Sequence, residues 1–280
     1  MPFSEMKEKI FKARISYVGK GFSGWQVQPQ KRTVQGVLIE ALSKLFKGKV
    51  SVVSAGRTDT GVHALNQVIR IKGETSLEPS SLKKALNSIL PEDIRILEIE
   101  PADKNFHPIR NRGKVYAYFI YTGDAISPFL SPYFYHIRRN LNYEILSKSA
   151  EILRGAHDFS AFRNRGSNVK NTTRNVFISE WLRAGNFWVY VIGADGFLKQ
   201  MVRIIVGTML DVSRGKIDYQ FLETLLRGEK RESAGKTAPP HALFLLKVFY
   251  EEDPIKWWEE EKIKFLKIFE SLNELFCQIT

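Results

Sequence analysis

A chain of 280 residues with 44% hydrophobic content is long enough for one large or two ordinary domains and too apolar for wholesale disorder. Its formal net charge of +12 and pI near 9.6 suit a polyanionic partner, most simply nucleic acid. One cysteine, Cys277, excludes an internal disulfide and fits a reducing cytoplasm, the histidines lack zinc-ligand spacing, and MPFSEMKEKIFKARI lacks the apolar run of a signal peptide.

In chain order, residues 11–18, FKARISYV, alternate and predict a strand. The loop GKGFSGWQVQPQ follows; it is glycine-rich but lacks the spacing of a phosphate-binding loop. Apolar residues at 34, 37, 38, 41, 42, 45 and 46 predict an amphipathic helix over 33–46, with Thr33 as its N-cap. Strands over 50–53 and 66–71 flank the segment SAGRTDTGVHA. A helix over 82–90 stops at Pro91, and 94–99 is a further strand. The order then repeats: strand 115–121, helix 143–153, strands 174–183 and 186–193 about Ala184-Gly185, helix 197–212, short helix 219–227 and a final strand 243–249.

Each half reads as β-α-β, β-α-β, the split pattern of a ferredoxin-like unit. The expected fold is α+β: two ferredoxin-like (RRM-like) halves, 1–108 and 109–252, forming one extended mixed or antiparallel sheet with helices on one face and a cleft between the halves. The boundary falls near 105–112, where FHPIRNRG breaks the periodicity. In the tail, 253–280, Trp258, Phe265, Ile268, Phe269, Leu272, Leu275, Phe276 and Ile279 are expected on one face of an amphipathic helix docked on its own domain, with an oligomer contact as the alternative. The longest apolar stretch, 197–210, contains Lys199 and Arg203 and is too short to span a membrane.

The segment SAGRTDTGVHA carries a lone carboxylate, Asp59, beside Arg57 and between Gly56 and Gly61. The glycines allow a tight loop that approaches a ligand closely. Within reach of Arg57 or another cation, Asp59 stays ionised and can serve as nucleophile or base; an aspartate bonding its own backbone in an Asx-turn is the alternative. No second acid adjoins it, which argues against two-metal chemistry, and a glycosidase would need a distant second carboxyl. There is no GxSxG elbow, Walker A loop or GxGxxG fingerprint.

In KVYAYFIYTG, Tyr116 and Tyr118 share one face of a strand and Phe119 and Tyr121 the other. An aromatic on a sheet surface is a natural platform for a nucleobase; core packing is the alternative for any one of them, but four in six positions are more than a strand is expected to bury equally. Arg203 sits among Met201, Val202, Ile204 and Ile205 and calls for a carboxylate partner, with Asp59 across a domain cleft the candidate; snorkelling to solvent is the alternative. Arg163, Arg165, Lys170 and Arg174, with Lys31, Arg32, Arg110, Arg112 and Lys114, could line a basic groove for phosphates or form a solvated charged face.

AGRTDTGVHA, KVYAYFIY, HDFSAFR, FLKQMVRIIVGTML and AGKTAPPHALFL, in that order over roughly residues 10–250, resemble the TruA-type tRNA pseudouridine synthases. The resemblance implies an isomerase that converts uridine to pseudouridine at positions 38, 39 and 40 of the tRNA anticodon stem-loop, working as a homodimer with no cofactor or metal. By position, Asp59 corresponds to the catalytic aspartate, Arg57 to the arginine that helps flip the nucleotide, Tyr116 to the tyrosine that stacks on the target uracil, and Arg203 to the arginine that pairs with the aspartate. Leu243 and Leu245 fall in the segment that lines the pocket. The sequence departs from the family at Ala242, where glycine is common, and at Gln200, where histidine or asparagine is frequent; neither carries the chemistry. A non-catalytic RNA-binding protein and a single-carboxylate nuclease are the competing readings.

Overall fold

The computed structural model describes residues 7–164 and 169–279, and the chain divides into two compact units. The first takes the chain up to Asn111 and then regains Leu245–Val248; the second holds Arg112–Phe244 and the chain from Phe249 onward.

The first unit runs β1 (Lys7–Tyr17), α1 (Val34–Ser43), β2 (Lys47–Ser54), β3 (His63–Thr75), α2 (Pro79–Ile89) and β4 (Ile94–Pro101). β1 lies between β4 and β3, antiparallel to both, β2 also pairs with β3, and the central residues of β10 (Leu243–Phe249) neighbour β3 as well. Alternation along β1 turns Phe11, Ala13, Ile15 and Tyr17 into the core. The buried Leu38 and Leu42 of α1 and Leu82 and Leu86 of α2 belong to the same core. Thr33 caps α1 as expected, its Oγ1 accepting the Gly36 N–H at 3.2 Å. β1 starts four residues earlier than the alternation predicts. Its polar face is held by pairs such as Lys12–Glu100 and Arg14–Glu98, at 2.8 and 2.6 Å, which at this exposure add little stability.

The second unit contains β5 (Gly113–Tyr121), β6 (Tyr135–His136), α3 (Tyr143–Ile152), β7 (Gly155–Asp158), β8 (Thr173–Ala184), β9 (Phe187–Ala194), α4 (Met201–Ser213), α5 (Phe221–Leu225) and α6 (Pro254–Ile279). Its strands run β5-β9-β8-β7, each antiparallel to the next, with β6 parallel to β5. Every residue of β9 is buried, as expected of a strand covered on both faces. Tyr143 of α3 meets Trp188 on one side, and Phe269 of α6 stacks on Phe187 on the other, at centroid distances of 6.1 and 6.2 Å.

The same double cover accounts for the burial of the aromatic strand. Tyr116, Tyr118 and Tyr121 are all buried, and Phe119 is half-buried among Phe134, Phe244, Phe265 and Phe269. Four aromatics fit because alternation sends two to each covered face.

α6 is capped by Asp253, whose Oδ1 accepts the Ile255 and Lys256 N–H groups at 2.8 and 3.2 Å. Trp258 and Phe269 are buried, and the Trp258 indole donates to Glu180 at 2.8 Å. Each large side chain removed from water contributes about 1.5–3 kcal/mol to docking this helix. Ile268 and Leu275, expected on the same face, are 57% and 51% exposed. They lie about 80–100° around the helix from Trp258, given about 100° per residue, beyond the stripe that reaches the sheet. The side chains of Phe276 and Ile279 lie outside the described residues. Among the described residues, no helix is long and apolar enough to cross a membrane.

Candidate active site

In the first unit the chain leaves β2 at Ser54 and enters β3 at His63, and Asp59 lies midway in the connection. Both ends of this loop are tied down. The Ala55 N–H bonds the Val68 carbonyl at 2.9 Å. Ser54 Oγ and Gln67 Nε2 both donate to the Gly56 carbonyl, each at 2.9 Å. The Val62 N–H closes a turn onto the Asp59 carbonyl at 3.1 Å, with Gly61 at φ +80°. Gly61 thus uses the left-handed freedom expected of it. Gly56 does not have a positive φ, and its carbonyl instead serves as the anchor for two side chains.

Arg57 is exposed, Thr58 buried and Asp59 half-buried. Thr58 is held twice: the Trp25 N–H donates to its carbonyl at 3.1 Å, and its hydroxyl bonds the Tyr17 hydroxyl at 2.8 Å. Burial pushes the Tyr17 phenol up to about 12, so it stays neutral at physiological pH. The Gly19–Gly24 loop packs against this turn. A Cβ on Gly19 would overlap the Val62 carbonyl, and one on Gly24, at φ +85°, would come within 2.8 Å of the Thr58 carbonyl. His63 Nδ1 accepts the Gly19 N–H at 3.1 Å. The glycine-rich segment that failed as a phosphate loop therefore works as a buttress. Its sequence signal is the pair of glycines itself, since close backbone approach is a common reason for glycine.

In the second unit, Tyr116 lies on β5 with its ring edge-on to Phe197 at 5.0 Å. Phe197 is not helical: Gln200 is left-handed at φ 62°, so α4 starts at Met201 instead of 197. Arg203, half-buried in the first turn of α4, donates Nε to the Ala238 carbonyl at 2.8 Å, and its own carbonyl accepts the Ala238 N–H at 3.0 Å. The segment AGKTAPP thus lies along α4. Gly207 leaves no room for a Cβ against the Lys236 carbonyl, and the Gly235 N–H reaches Thr208 Oγ1 at 3.0 Å. Tyr118 ties the sheet to this segment through the Pro239 carbonyl at 2.9 Å. Burial, chiefly, raises its phenol pKa well above normal, with Arg203 acting in the opposite direction. Leu243, of this unit, and Leu245, of the first, are both buried on β10.

The basic residues have separate environments. Arg32 makes a two-pronged pair with Asp93 at 2.8 and 3.0 Å and lies 4.0 Å over the Phe22 ring. Arg112 donates to the Glu251 carbonyl, Arg163 to Val169, and Arg174 to Asn171 and Thr173. Burial holds Lys114 down to about 8, against the pull of Asp195. Lys31, Arg110 and Lys170 are exposed. Arg165 lies outside the described residues.

The family described as tRNA pseudouridine synthase matches residues 13–109 and 150–251. The chain is 41% identical over 243 residues to the tRNA pseudouridine synthase A of Bacillus subtilis (strain 168), covering 86% of this chain and 98% of that one. It is 41% identical over 243 residues to the protein of that name from Dictyoglomus turgidum, with 86% and 99% covered. The corresponding Geobacillus sp. (strain WCH70) protein is 39% identical over 245 residues, with 87% and 99% covered.

Proposed function

The chain belongs to the tRNA pseudouridine synthase family, and on that premise we propose that it acts as a homodimer on uridines 38, 39 and 40 of the tRNA anticodon stem-loop. It is an isomerase of tRNA uridines. The observation that carries the site assignment is the clamped loop that presents Arg57 and Asp59 on either side of the buried Thr58.

The reaction breaks the uracil N1–C1′ bond, turns the base, and joins C5 to C1′; N1 gains a proton and C5 loses one. Nothing else is added or lost, so a single carboxylate suffices. Asp59 either attacks the substrate or removes a ribose proton, and both roles require it ionised. Arg203 is its counter-cation. Flipping the uridine out costs a few kcal/mol, and Arg57, exposed and anchored through its neighbour, fills the vacated space. Tyr116 stacks on the extracted base, its hydroxyl is the candidate base for the C5 proton, and Leu243 and Leu245 form apolar wall. Arg163, Arg165 and the other basic residues hold phosphates. The single cysteine fits work in the cytoplasm.

The test is tritium release to water from an anticodon stem-loop tRNA labelled at uridine C5, with RNA length followed on a gel. Release with intact RNA supports the assignment. Binding without release from several tRNAs would make the chain an RNA-binding protein, and shortened RNA a nuclease.

Tyr116→Phe is expected to keep tRNA binding within about twofold and slow turnover by about 10²-fold or more, the usual size of a lost acid–base group. An unchanged rate would restrict Tyr116 to stacking. tRNA affinity is also expected to fall at least about tenfold between 50 and 200 mM salt, through counterion release. A flat salt dependence, measured by filter binding, would remove the basic residues from the RNA contact.

A further inference from the structure

We propose that Tyr17 is a positioning residue for the reaction, fixing Arg57 and Asp59 through its buried hydrogen bond to Thr58. The inference rests on the assignment of Asp59 as the reacting carboxylate.

Tyr17 ends β1 and Thr58 lies in the loop after β2, so no local sequence rule joins them. They meet at 2.8 Å with both side chains buried. The Tyr17 ring lies 6.2 Å from that of Trp25, whose backbone N–H holds the Thr58 carbonyl. Gln67, fully buried, lies beside the same phenol and donates to the Gly56 carbonyl. One cluster of core groups thus grips residue 56 by its carbonyl and residue 58 by carbonyl and side chain.

Packing alone does not call for this pair. Phe and Val would fill the same volume without two hydroxyls to desolvate, and exchanging a buried polar pair for apolar groups of the same shape is often nearly neutral. A hydrogen bond adds direction. It selects one Thr58 rotamer, and with the carbonyl also fixed, the backbone on both sides of Thr58 has little freedom. Burial changes residue by residue along this stretch, with Arg57 exposed, Thr58 buried and Asp59 half-buried, so the anchor lies between the two functional candidates. Catalytic geometry tolerates little slack, since a displacement of about 1 Å can cost about 10²-fold in rate.

The experiment compares wild type, Tyr17→Phe, Thr58→Val, the double variant and Thr58→Ser in steady-state tritium release, with Tm and tRNA affinity measured on the same preparations. Tyr17→Phe is expected to lower kcat about tenfold or more, with KM and tRNA affinity within about twofold of wild type. The double variant is expected to be no slower than the worse single one, because one bond is lost in each. Thr58→Ser, which keeps the hydroxyl, is expected to retain most of the wild-type kcat. A lowered Tm with unchanged kcat per folded molecule would make the pair purely structural and overturn the inference. So would additive losses in the double variant. If Tyr17→Phe does not fold, Thr58→Val against Thr58→Ser decides the same question. Wild type that binds tRNA but releases no tritium would instead overturn the parent assignment, and this inference with it.

Discussion

Asp59→Ala is expected to abolish tritium release, a loss of about 10³-fold or more, while tRNA affinity stays within about threefold. The rate loss follows from the chemistry: no other acid lies in the turn, and none adjoins Asp59 in sequence, so nothing in the loop can replace the lost carboxylate. Losses of about 10²–10⁴ are typical when an acid–base group alone is removed, and loss of a nucleophile is at least as severe. Binding should survive because affinity for RNA comes mainly from cation–phosphate contacts, and removing a negative charge from a loop proposed to face RNA does not weaken those. The fold should survive as well. The loop is held by Gly56, Thr58, Gly61 and Val62 and by the Asp59 backbone carbonyl, which alanine retains. Activity of Asp59→Ala comparable to wild type would sink the site assignment. Loss of binding in parallel with rate would place Asp59 in RNA recognition instead.

Gly207→Ala is expected to lower stability by about 1–3 kcal/mol, the cost of overpacking a core, and with it the Tm by several degrees. Two effects oppose each other here. Alanine in the interior of α4 gains roughly 1 kcal/mol of helix propensity over glycine. Against that, its Cβ would overlap the Lys236 carbonyl, and this neighbour is backbone, with no flexible end to swing away. The segment it belongs to is bonded to Arg203 at Ala238, to Tyr118 at Pro239 and to Thr208 at Gly235. Displacing it strains all three, so the steric term should win. Thermal unfolding settles the sign: a raised Tm would mean that the segment yields freely and that propensity dominates.

The fold is legible in the sequence where one physical signal dominates. The strand over 243–249 matches β10 at both ends because its apolar residues are bounded by a turn before and charges after. The hairpin β8–β9 was legible because Gly185, at φ +57°, sits between two runs of β-forming residues. Failures have equally local causes. Lys7–Ile10 is too charged to look like a strand, and it is one because it finds partners on β3. β7 is four residues without alternation, built by its pairing with β8. The helix predicted from 197 is delayed by Gln200, a residue with no strong turn signature that nevertheless takes a left-handed conformation. The loop proposed as the site stands out in the sequence because its charged residues, Arg57 and Asp59, lie between glycines. Their supports, Tyr17, Gly19, Gly24 and Trp25, do not. Periodicity says that a residue is buried; it does not say which distant turn it is buried against.

The return of Leu245–Val248 to the first unit bears on how the chain is made. On the ribosome, residues up to 111 emerge before 245–248 and contain nearly all of that unit, but β3 lacks its neighbour β10 until residues 243–249 have been synthesised. In that interval the stretch of β3 beside the Asp59 loop is an open edge, where Asn66 has yet to reach the Leu246 carbonyl. Open edges invite pairing with other chains, and contacts this distant in sequence are slow to form. A nascent chain stalled before residue 245 should therefore expose an adhesive, incomplete first unit. Its closure waits on a segment more than 130 residues downstream, so quality control of this enzyme can act on a single later event: the docking of one seven-residue strand.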